Sequence, residues 1–287
     1  MTAPDSTPNR SVEDCKASLE QTIRQRGSML VAYSGGIDST LVAAVGRNIL
    51  GRDHCIAVIG DSLSLPRREL REAQQIAADL DLQLITVNPA EQHDPNYRAN
   101  AGDRCFYCKT NLYHALQQLS KERDIPWIAN GTNTDDLGDH RPGLNAASDA
   151  GVISPLLEAG LNKQDIRNLA LHMGLPNADK PAAACLASRI PYGTEVTPQR
   201  LAQVEAAEDA LADLGFSGFR VRHHDQVARL EIPADQLNRL MDQEIREQVV
   251  TAVKRAGFVY AALDLEGFRS GSGNVMLTLA GRDLAAD

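Results

Sequence analysis

At 287 residues the chain is long enough for one large domain or two ordinary ones, each with its own core. Hydrophobic residues make up 43% and charged residues 23%, an ordinary globular balance, while aromatics at 4% leave core packing to Leu, Ile, Val and Ala. A net charge of −9 argues against broad nucleic-acid binding by phosphate neutralisation but leaves room for a local basic pocket. Met1 to Arg10 is polar and lacks the basic start and apolar run of a signal peptide. No apolar stretch is long enough to cross a bilayer, so the expected location is the cytoplasm. Five cysteines are too few to staple a secreted scaffold, and in a reducing compartment a close pair reads as metal-binding or catalytic.

In chain order, Ser11 to Arg26 predicts a helix, with Ser11 and Asp14 as a capping box and Gly27 as its stop. Met29 to Tyr33 is a short apolar strand that ends in a Ser-Gly-Gly turn, and a helix follows from Ser39 to about Leu50. Cys55 to Ile59 is a second buried strand. Pro66 to Leu80 is a charged amphipathic helix with proline in its first turn. Leu82 to Val87 and Trp127 to Ala129 are the third and fourth strands, and Asn162 to Met173 is a helix capped by Asn162. Continuous apolar strands alternating with helices predict an α/β fold, a doubly wound parallel sheet covered on both faces.

The C-terminal third has another pattern. Thr197 to Leu214 is a helix with Thr197 as cap and Pro198 in the first position. Phe219 to His223 and Val227 to Ile232 predict a hairpin turning near Asp225. Helical segments cover roughly Asp235 to Arg255, and Val259 to Leu263 is a last strand. The expected organisation is a nucleotide domain over 1–185, a smaller α+β domain for substrate binding or oligomerisation over 190–273, and a tail over 274–287.

Ser34-Gly35-Gly36-Ile37-Asp38-Ser39 sits between the first strand and its helix. The glycines permit backbone dihedrals closed to other residues and let the main chain approach a ligand. Successive amides then form an anion nest, and the helix start adds free N–H groups and the positive end of its dipole. Ser34 and Ser39 add hydroxyls, and Asp38 is suited to hold Mg²⁺ against phosphate. The alternative is a glycine turn with nothing bound. No Gly-Lys-Ser/Thr follows at Walker A spacing. The hexapeptide resembles the PP-loop superfamily, which cleaves ATP between the α and β phosphates and passes AMP to an acceptor. Asp61, after the second strand, and Gly131, Thr132 and Asp135, after the fourth, lie where a doubly wound sheet places ligand loops. The superfamily resemblance puts the Gly131 loop against AMP; its alternative is a polar turn and helix cap.

Arg104-Cys105-Phe106-Tyr107-Cys108-Lys109 places two thiols three apart, on one side of a helix start. The helix end and the flanking cations favour thiolate. A third thiol, Cys185, lies far along the chain in Ala184-Cys185-Leu186-Ala187-Ser188-Arg189. The pair alone fits half a zinc site, a redox pair or chance. Three cysteines without a fourth ligand suit an iron–sulfur cluster with one open iron. Cys15 and Cys55 read as structural.

The phosphate loop, the Asp103 to Lys109 segment, Gly131 to Asp136, Asp139 to Leu144, Lys180-Pro181, Ala184 to Gly193 and Arg220 to His224 together resemble the LarE family, from about Leu30 to Arg229. That family consists of ATP-dependent sulfur transferases that make the nickel-pincer nucleotide cofactor of lactate racemase. The resemblance implies a pyridinium-3,5-biscarboxylic acid mononucleotide substrate, whose carboxylates are adenylated and converted to thiocarboxylates. It implies ATP, Mg²⁺ on Asp38 and, because three thiols are present, a 4Fe-4S cluster on Cys105, Cys108 and Cys185 that carries the transferred sulfur. The competing route is single-use donation from Cys185, leaving dehydroalanine. A homo-oligomer, a hexamer of two trimers, is implied as well. Arg189, Arg220 and Arg222 suit a substrate with a phosphate and two carboxylates. Strand alternation puts Arg220 and Arg222 on one face; the alternative is a solvated edge pair. Arg141 is a loop anchor or nucleotide ligand. His223 and His224 read as surface histidines, and Glu205 and Glu208 as a solvated helix face. Three rival functions remain at this stage: a PP-loop tRNA thiolase, an amidating enzyme of the NAD-synthetase kind, and a nucleotide sensor that does not cleave ATP.

Overall fold

The computed structural model describes residues 10–138, 142–181 and 184–269. Arg141 and the tail 274–287 lie outside the described residues. In chain order the elements are α1 (Val12–Arg24), β1 (Met29–Ala32), α2 (Ile37–Leu50), β2 (Cys55–Gly60), α3 (Arg67–Asp79) and β3 (Gln83–Val87). Then come α4 (Pro95–Ala99), α5 (Arg104–Arg123), β4 (Trp127–Ala129), α6 (Pro142–Asp149), α7 (Pro155–Glu158) and α8 (Lys163–His172). The remainder is α9 (Pro198–Asp213), β5 (Arg220–His224), β6 (Val227–Glu231), α10 (Gln243–Arg255) and β7 (Tyr260–Leu263). None of the described helices is long and apolar enough to cross a membrane.

Contacts divide the chain into two compact units. The first comprises 1–62, 67–89 and 108–183; the second comprises 63–66, 90–107 and 184–287. The line between them falls inside α5, after Tyr107. A contiguous reading of the sequence has no means of finding the segment 90–107 in the second unit, because only its contacts put it there.

The first unit carries a four-stranded parallel sheet in the order β3-β2-β1-β4, flanked by helices. Val31 of β1 pairs with Ala57 on one side and Ala129 on the other. Strands β1 and β2 are buried along almost their whole length, as expected of a covered parallel sheet. The Ser11 hydroxyl caps α1 by accepting from the Asp14 amide at 3.1 Å, and α1 buries Cys15, Leu19 and Ile23. Asn162 and Asp165 form a reciprocal capping box on α8. Two boundaries differ from expectation. Helix α3 begins after Pro66. Helix α2 begins at Ile37, so Asp38 and Ser39 belong to its first turn.

The second unit has a three-stranded sheet, β5-β6-β7, with β5 and β6 antiparallel and β6 and β7 parallel. The hairpin turns at Asp225, whose φ of 51 is in the left-handed region that Asp tolerates. Phe216, Phe219, Val221, Leu230 and Phe258 are core residues between this sheet and its helices. The stretch expected to be helical from Asp235 is a 3-10 segment (Ala234–Met241) broken before α10, because Asp242 caps α10 through the Ile245 amide.

Candidate functional site

The first unit presents its loops at the carboxyl ends of β1 and β4, where the strand order reverses and open α/β sheets bind ligands. Gly35 has a φ of +72, and a Cβ there would lie 2.5 Å from Ala73 Cβ. Conformation and space therefore both demand glycine. Gly36 is the N-cap of α2 and supplies no side-chain cap, so the first amides of that helix are left for a ligand. The Ser39 hydroxyl accepts from the Ser34 amide at 3.1 Å and donates to the Gly36 carbonyl at 3.1 Å, folding the loop into a closed ring. Buried Asn177 donates to the Gly35 carbonyl and to Thr40 Oγ1, both at 2.9 Å. Tyr33 donates to the Ala73 carbonyl at 2.9 Å, and burial pushes its phenol up to about 12.

The Gly131 loop packs directly on this turn. A Cβ on Gly131 would sit 2.8 Å from the Ser39 amide nitrogen and 3.0 Å from Asp38 Cβ. The Thr132 amide donates to Asn130 Oδ1 at 3.0 Å, and the Asp135 carboxylate accepts from the Lys163 amide at 2.9 Å. Lys163 reaches Asp38 with its ammonium, at 2.7 and 2.5 Å from the two carboxylate oxygens. Asn133 Nδ2 donates to Asp38 Oδ1 at 3.4 Å. Ser34, Gly35, Gly36, Asp38, Ser39, Gly131, Thr132 and Asp135 are thus held in one neighbourhood. Asp61 is engaged differently: its carboxylate pairs with Arg67. Lys180 pairs with Glu69 at 2.6 Å and Glu72 at 2.8 Å; burial opposes its charge, but the two carboxylates outweigh it and raise its pKa.

In the second unit Cys185 is exposed and precedes a 3-10 turn (Leu186–Arg189). Arg189, 4% exposed, holds that turn. Its Nη1 donates to the carbonyls of Ala184 at 2.8 Å and Cys185 at 3.0 Å. Its Nε and Nη2 grip the two oxygens of Glu208 at 2.9 and 3.1 Å. Glu208 also accepts from the Val221 amide at 3.0 Å, so it belongs to this network and not to a solvated face. Arg222 is likewise buried, donating to the Ser188 carbonyl and to Glu231 Oε2, each at 2.9 Å. Fully buried Glu231 takes a second guanidinium from Arg229 at 3.1 Å.

Arg220 is the half-buried member of the predicted trio. It donates to the Phe219 carbonyl at 2.6 Å and lies 4.9 Å over the Phe268 ring. Burial, then the charge of Arg189, and then that of Arg222, lower its pKa. Glu208 and Glu231 act in the opposite sense, and they already pair with Arg189 and Arg222, so Arg220 is the guanidinium of the three with no carboxylate partner among the described residues. His223 is no surface residue: it is 2% exposed, shares a hydrogen bond with Gln203 at 3.1 Å and packs on Phe258. The inward face of β5 explains this, since the residue buries a ring against the unit's core.

Cys105 and Cys108 stand one turn apart at the start of α5, Cys105 exposed and Cys108 half-buried. Among the described residues no group of three or more His, Cys, Asp or Glu is gathered as a metal-holding set. Buried Arg104 lies within the electrostatic reach of both Cys185 and Cys105. Lys163, Asn177 and Glu208 join these networks without a motif in the sequence that marks them. Lys163 had one usable signal, its place beside a predicted N-cap; the others had none, being ordinary polar residues on helices and loops.

Comparison with known proteins agrees with the nucleotide loop and extends it. The NAD synthase family profile matches residues 11–104. The chain is 40% identical, over 91% of its length and 97% of the relative's, to an uncharacterised protein of Synechocystis sp.. It is 37% identical, over 92% of its length and 95% of the relative's, to the pyridinium-3,5-bisthiocarboxylic acid mononucleotide synthase of Lactiplantibacillus plantarum. An uncharacterised protein of Methanocaldococcus jannaschii is 26% identical over 89% of the chain and 96% of its own length.

Proposed function

Since the chain belongs to the LarE family of pyridinium-3,5-bisthiocarboxylic acid mononucleotide synthases, we propose that it uses ATP to activate the carboxylates of pyridinium-3,5-biscarboxylic acid mononucleotide and exchanges them for thiocarboxylates. The nucleotide chemistry is assigned to the first unit. A substrate carboxylate oxygen attacks the α phosphorus of ATP, and pyrophosphate leaves. The amides of Ile37 to Ser39 and the Lys163 ammonium are suited to hold the departing negative charge. Asp38 fits Mg²⁺: it already faces a cation, Lys163, with both oxygens, and one carboxylate with phosphate oxygens and waters is an ordinary Mg²⁺ shell. Bound there, the metal ion supplies charge neutralisation to the phosphates. AMP is then a far better leaving group than carboxylate oxygen.

Sulfur delivery is assigned to Cys185 in the second unit. The observation that carries this is the exposed thiol on a turn whose carbonyls are held by Arg189, in the same network as Arg222 and beside Arg220. The Cys185 thiolate attacks the acyl carbon and AMP departs, giving a thioester. Loss of the Cys185 Cα proton with cleavage of its Cβ–Sγ bond leaves thiocarboxylate on the substrate and dehydroalanine in the chain. The three-cysteine pattern also suggests a 4Fe-4S cluster on Cys105, Cys108 and Cys185. The described side chains do not form a set of three metal ligands, so no step is routed through a cluster. With Arg189 and Arg222 committed to Glu208 and Glu231, Arg220 is the strongest candidate for the substrate's anionic groups. A cytoplasmic homo-oligomer, a hexamer by family likeness, completes the reading.

The test is anaerobic. Pyrophosphate release is measured with the dicarboxylated mononucleotide, with tRNA and with ammonia, alongside iron, acid-labile sulfide and the mass of the Cys185 peptide. The expected result is release with the mononucleotide and conversion of Cys185 to dehydroalanine. Release only with tRNA or ammonia, or binding without release, overturns the reaction. Stoichiometric iron and sulfide with Cys185 intact after turnover overturns the donor.

A further inference from the structure

A buried guanidinium is seldom idle, and Arg104 is 4% exposed at the head of α5, one residue before Cys105. It does not form an ion pair with any carboxylate among the described residues. Its Nη1 donates to the Asn100 side-chain oxygen and to the Ala187 carbonyl, the latter at 2.9 Å. Ala187 lies two residues after Cys185, in the turn that Arg189 holds from its other side. The Tyr192 ring lies 5.8 Å from the Arg104 guanidinium carbon.

Asn100 is fully buried, with a φ of 54 that closes α4 in the left-handed region, a conformation Asn tolerates. Its Nδ2 donates to Pro191 at 2.8 Å, Thr194 at 2.9 Å and Ile190 at 3.3 Å, all backbone carbonyls. Its own carbonyl accepts from the Gly193 amide at 3.0 Å. Four residues of the Cys185 segment's outgoing arm are therefore tied to one asparagine, and that asparagine is tied to Arg104. The incoming arm is tied too: the Leu186 amide donates to the Ser64 carbonyl at 2.8 Å. All these residues belong to the second unit.

We propose that Arg104, seated on Asn100, is a positioning residue for sulfur transfer: it fixes the Cys185 turn beside Cys105 and acts through the backbone of that turn, without touching ATP. This rests on the sulfur-transferase reading above. Nothing in the arrangement bears on adenylation, since the phosphate loop is in the other unit. Loss of Arg104 is therefore expected to separate the two half-reactions, which a merely destabilising change does not do.

The experiment has two arms, run on wild type, Arg104→Ala, Arg104→Lys and Asn100→Asp. In the first, thiolated product is measured per pyrophosphate released in a single turnover. Arg104→Ala is expected to keep pyrophosphate release within about twofold and lose about tenfold or more of the product yield, because a displacement of ~1 Å suffices for such losses. Arg104→Lys, which keeps the charge but not the reach, is expected to remain uncoupled. Asn100→Asp keeps the acceptor for Arg104 and loses the donor to three carbonyls, so it is expected to show a smaller uncoupling. In the second arm, dibromobimane bridging of Cys105 to Cys185 is mapped by peptide mass without substrate and is expected to fall in the same order. Wild-type yield per pyrophosphate in Arg104→Ala, or unchanged bridging, overturns the proposal. Full recovery by lysine overturns it as well, because charge alone then suffices. A wild type that releases no pyrophosphate sinks the functional reading and leaves the bridging arm to decide this one; should Arg104→Ala fail to fold, Asn100→Asp decides it in both arms.

Discussion

The phosphate loop of the first unit and the Cys185 turn of the second solve one problem by different means. Each must hold a short irregular segment still while leaving its reactive face open. The phosphate loop sets its backbone from within: Gly35 takes the positive φ and Ser39 closes the ring, while Asn177 holds the Gly35 carbonyl and Lys163 and Asn133 hold Asp38 from far along the chain. The Cys185 turn also has internal bonds, with the Ser188 hydroxyl and amide both donating to the Cys185 carbonyl at 2.7 and 3.0 Å, but it adds guanidiniums from other elements. Its carbonyls are gripped by its own Arg189 and, from α5 and β5, by Arg104 and Arg222, and Glu208 and Glu231 hold Arg189 and Arg222 in turn. A loop stabilised from within tolerates change around it but not in it. A turn held in part by guanidiniums of other elements is sensitive to residues that never meet the substrate.

The sharpest way to break this comparison is Gly35→Ala. The substitution imposes a left-handed conformation on a non-glycine residue and drives a methyl group into Ala73, a strain of ~1–3 kcal/mol before the clash. Pyrophosphate release is expected to fall about 100-fold or more, since loop and amides shift together. Alkylation of Cys185 by iodoacetamide is expected to keep its wild-type rate. A matching loss of thiol reactivity shows that the two sites are not independently built.

Arg189→Lys tests the opposite half. Lysine keeps the charge, but a single ammonium cannot span both Glu208 oxygens and two carbonyls. Product per pyrophosphate is expected to drop by about tenfold or more, with pyrophosphate release unchanged. Equal losses in both show that Arg189 serves the whole fold and not the turn. Lys163→Ala sharpens the first half. It removes the ammonium from both Asp38 oxygens, and one charge-assisted contact to phosphate is worth about tenfold in ATP KM. Because Asp38 then loses its only cationic partner among the described residues and keeps only the Asn133 amide, nucleotide-free Mg²⁺ binding by calorimetry is expected to tighten. Unchanged ATP KM removes Lys163 from the site.

The same contrast decides what was legible in the sequence. The parallel sheet was visible because buried strands leave unbroken apolar runs, as in Cys55 to Ile59, and the phosphate loop because its parts are contiguous. Helix boundaries followed caps that read directly, such as Ser11, Asn162 and Thr197. The supports of Cys185 were hidden for a physical reason. Asn100, Arg104 and Glu208 act through hydrogen bonds to backbone carbonyls and amides, which impose no residue pattern on the partner. Glu208 sits one helical turn from other polar residues and reads as a solvated face until the strand carrying Val221 is laid against it. His223 reads as half of a surface pair because two adjacent histidines look alike in sequence, but β5 is buried from Val221 through His223 and only its last residue, His224, is exposed.

The smallest expected effect concerns the wall of the phosphate loop. Tyr33 follows β1 directly, and its phenol is held neutral by burial, with its pKa raised from 10.0 to about 12. A raised folded pKa means that the unfolded chain ionises first. The stabilising contribution is fully present below pH 10 and is lost as the pH rises from about 10 towards 12. Cys55, whose thiol burial likewise pushes to about 12 from 9.0, gives the same sign beginning about one pH unit lower. Tyr33→Phe removes one hydrogen bond to the Ala73 carbonyl and is expected to cost about 1 kcal/mol at pH 7. The same substitution should flatten the fall in stability between pH 10 and 12, leaving the Cys55 limb in place. Urea unfolding at pH 7, 9, 10 and 11 separates these terms. If the variant and the wild type lose stability in parallel above pH 10, the phenol is not buried as described. The packing of Tyr33 against α3, on which the Gly35 turn leans, then needs another account.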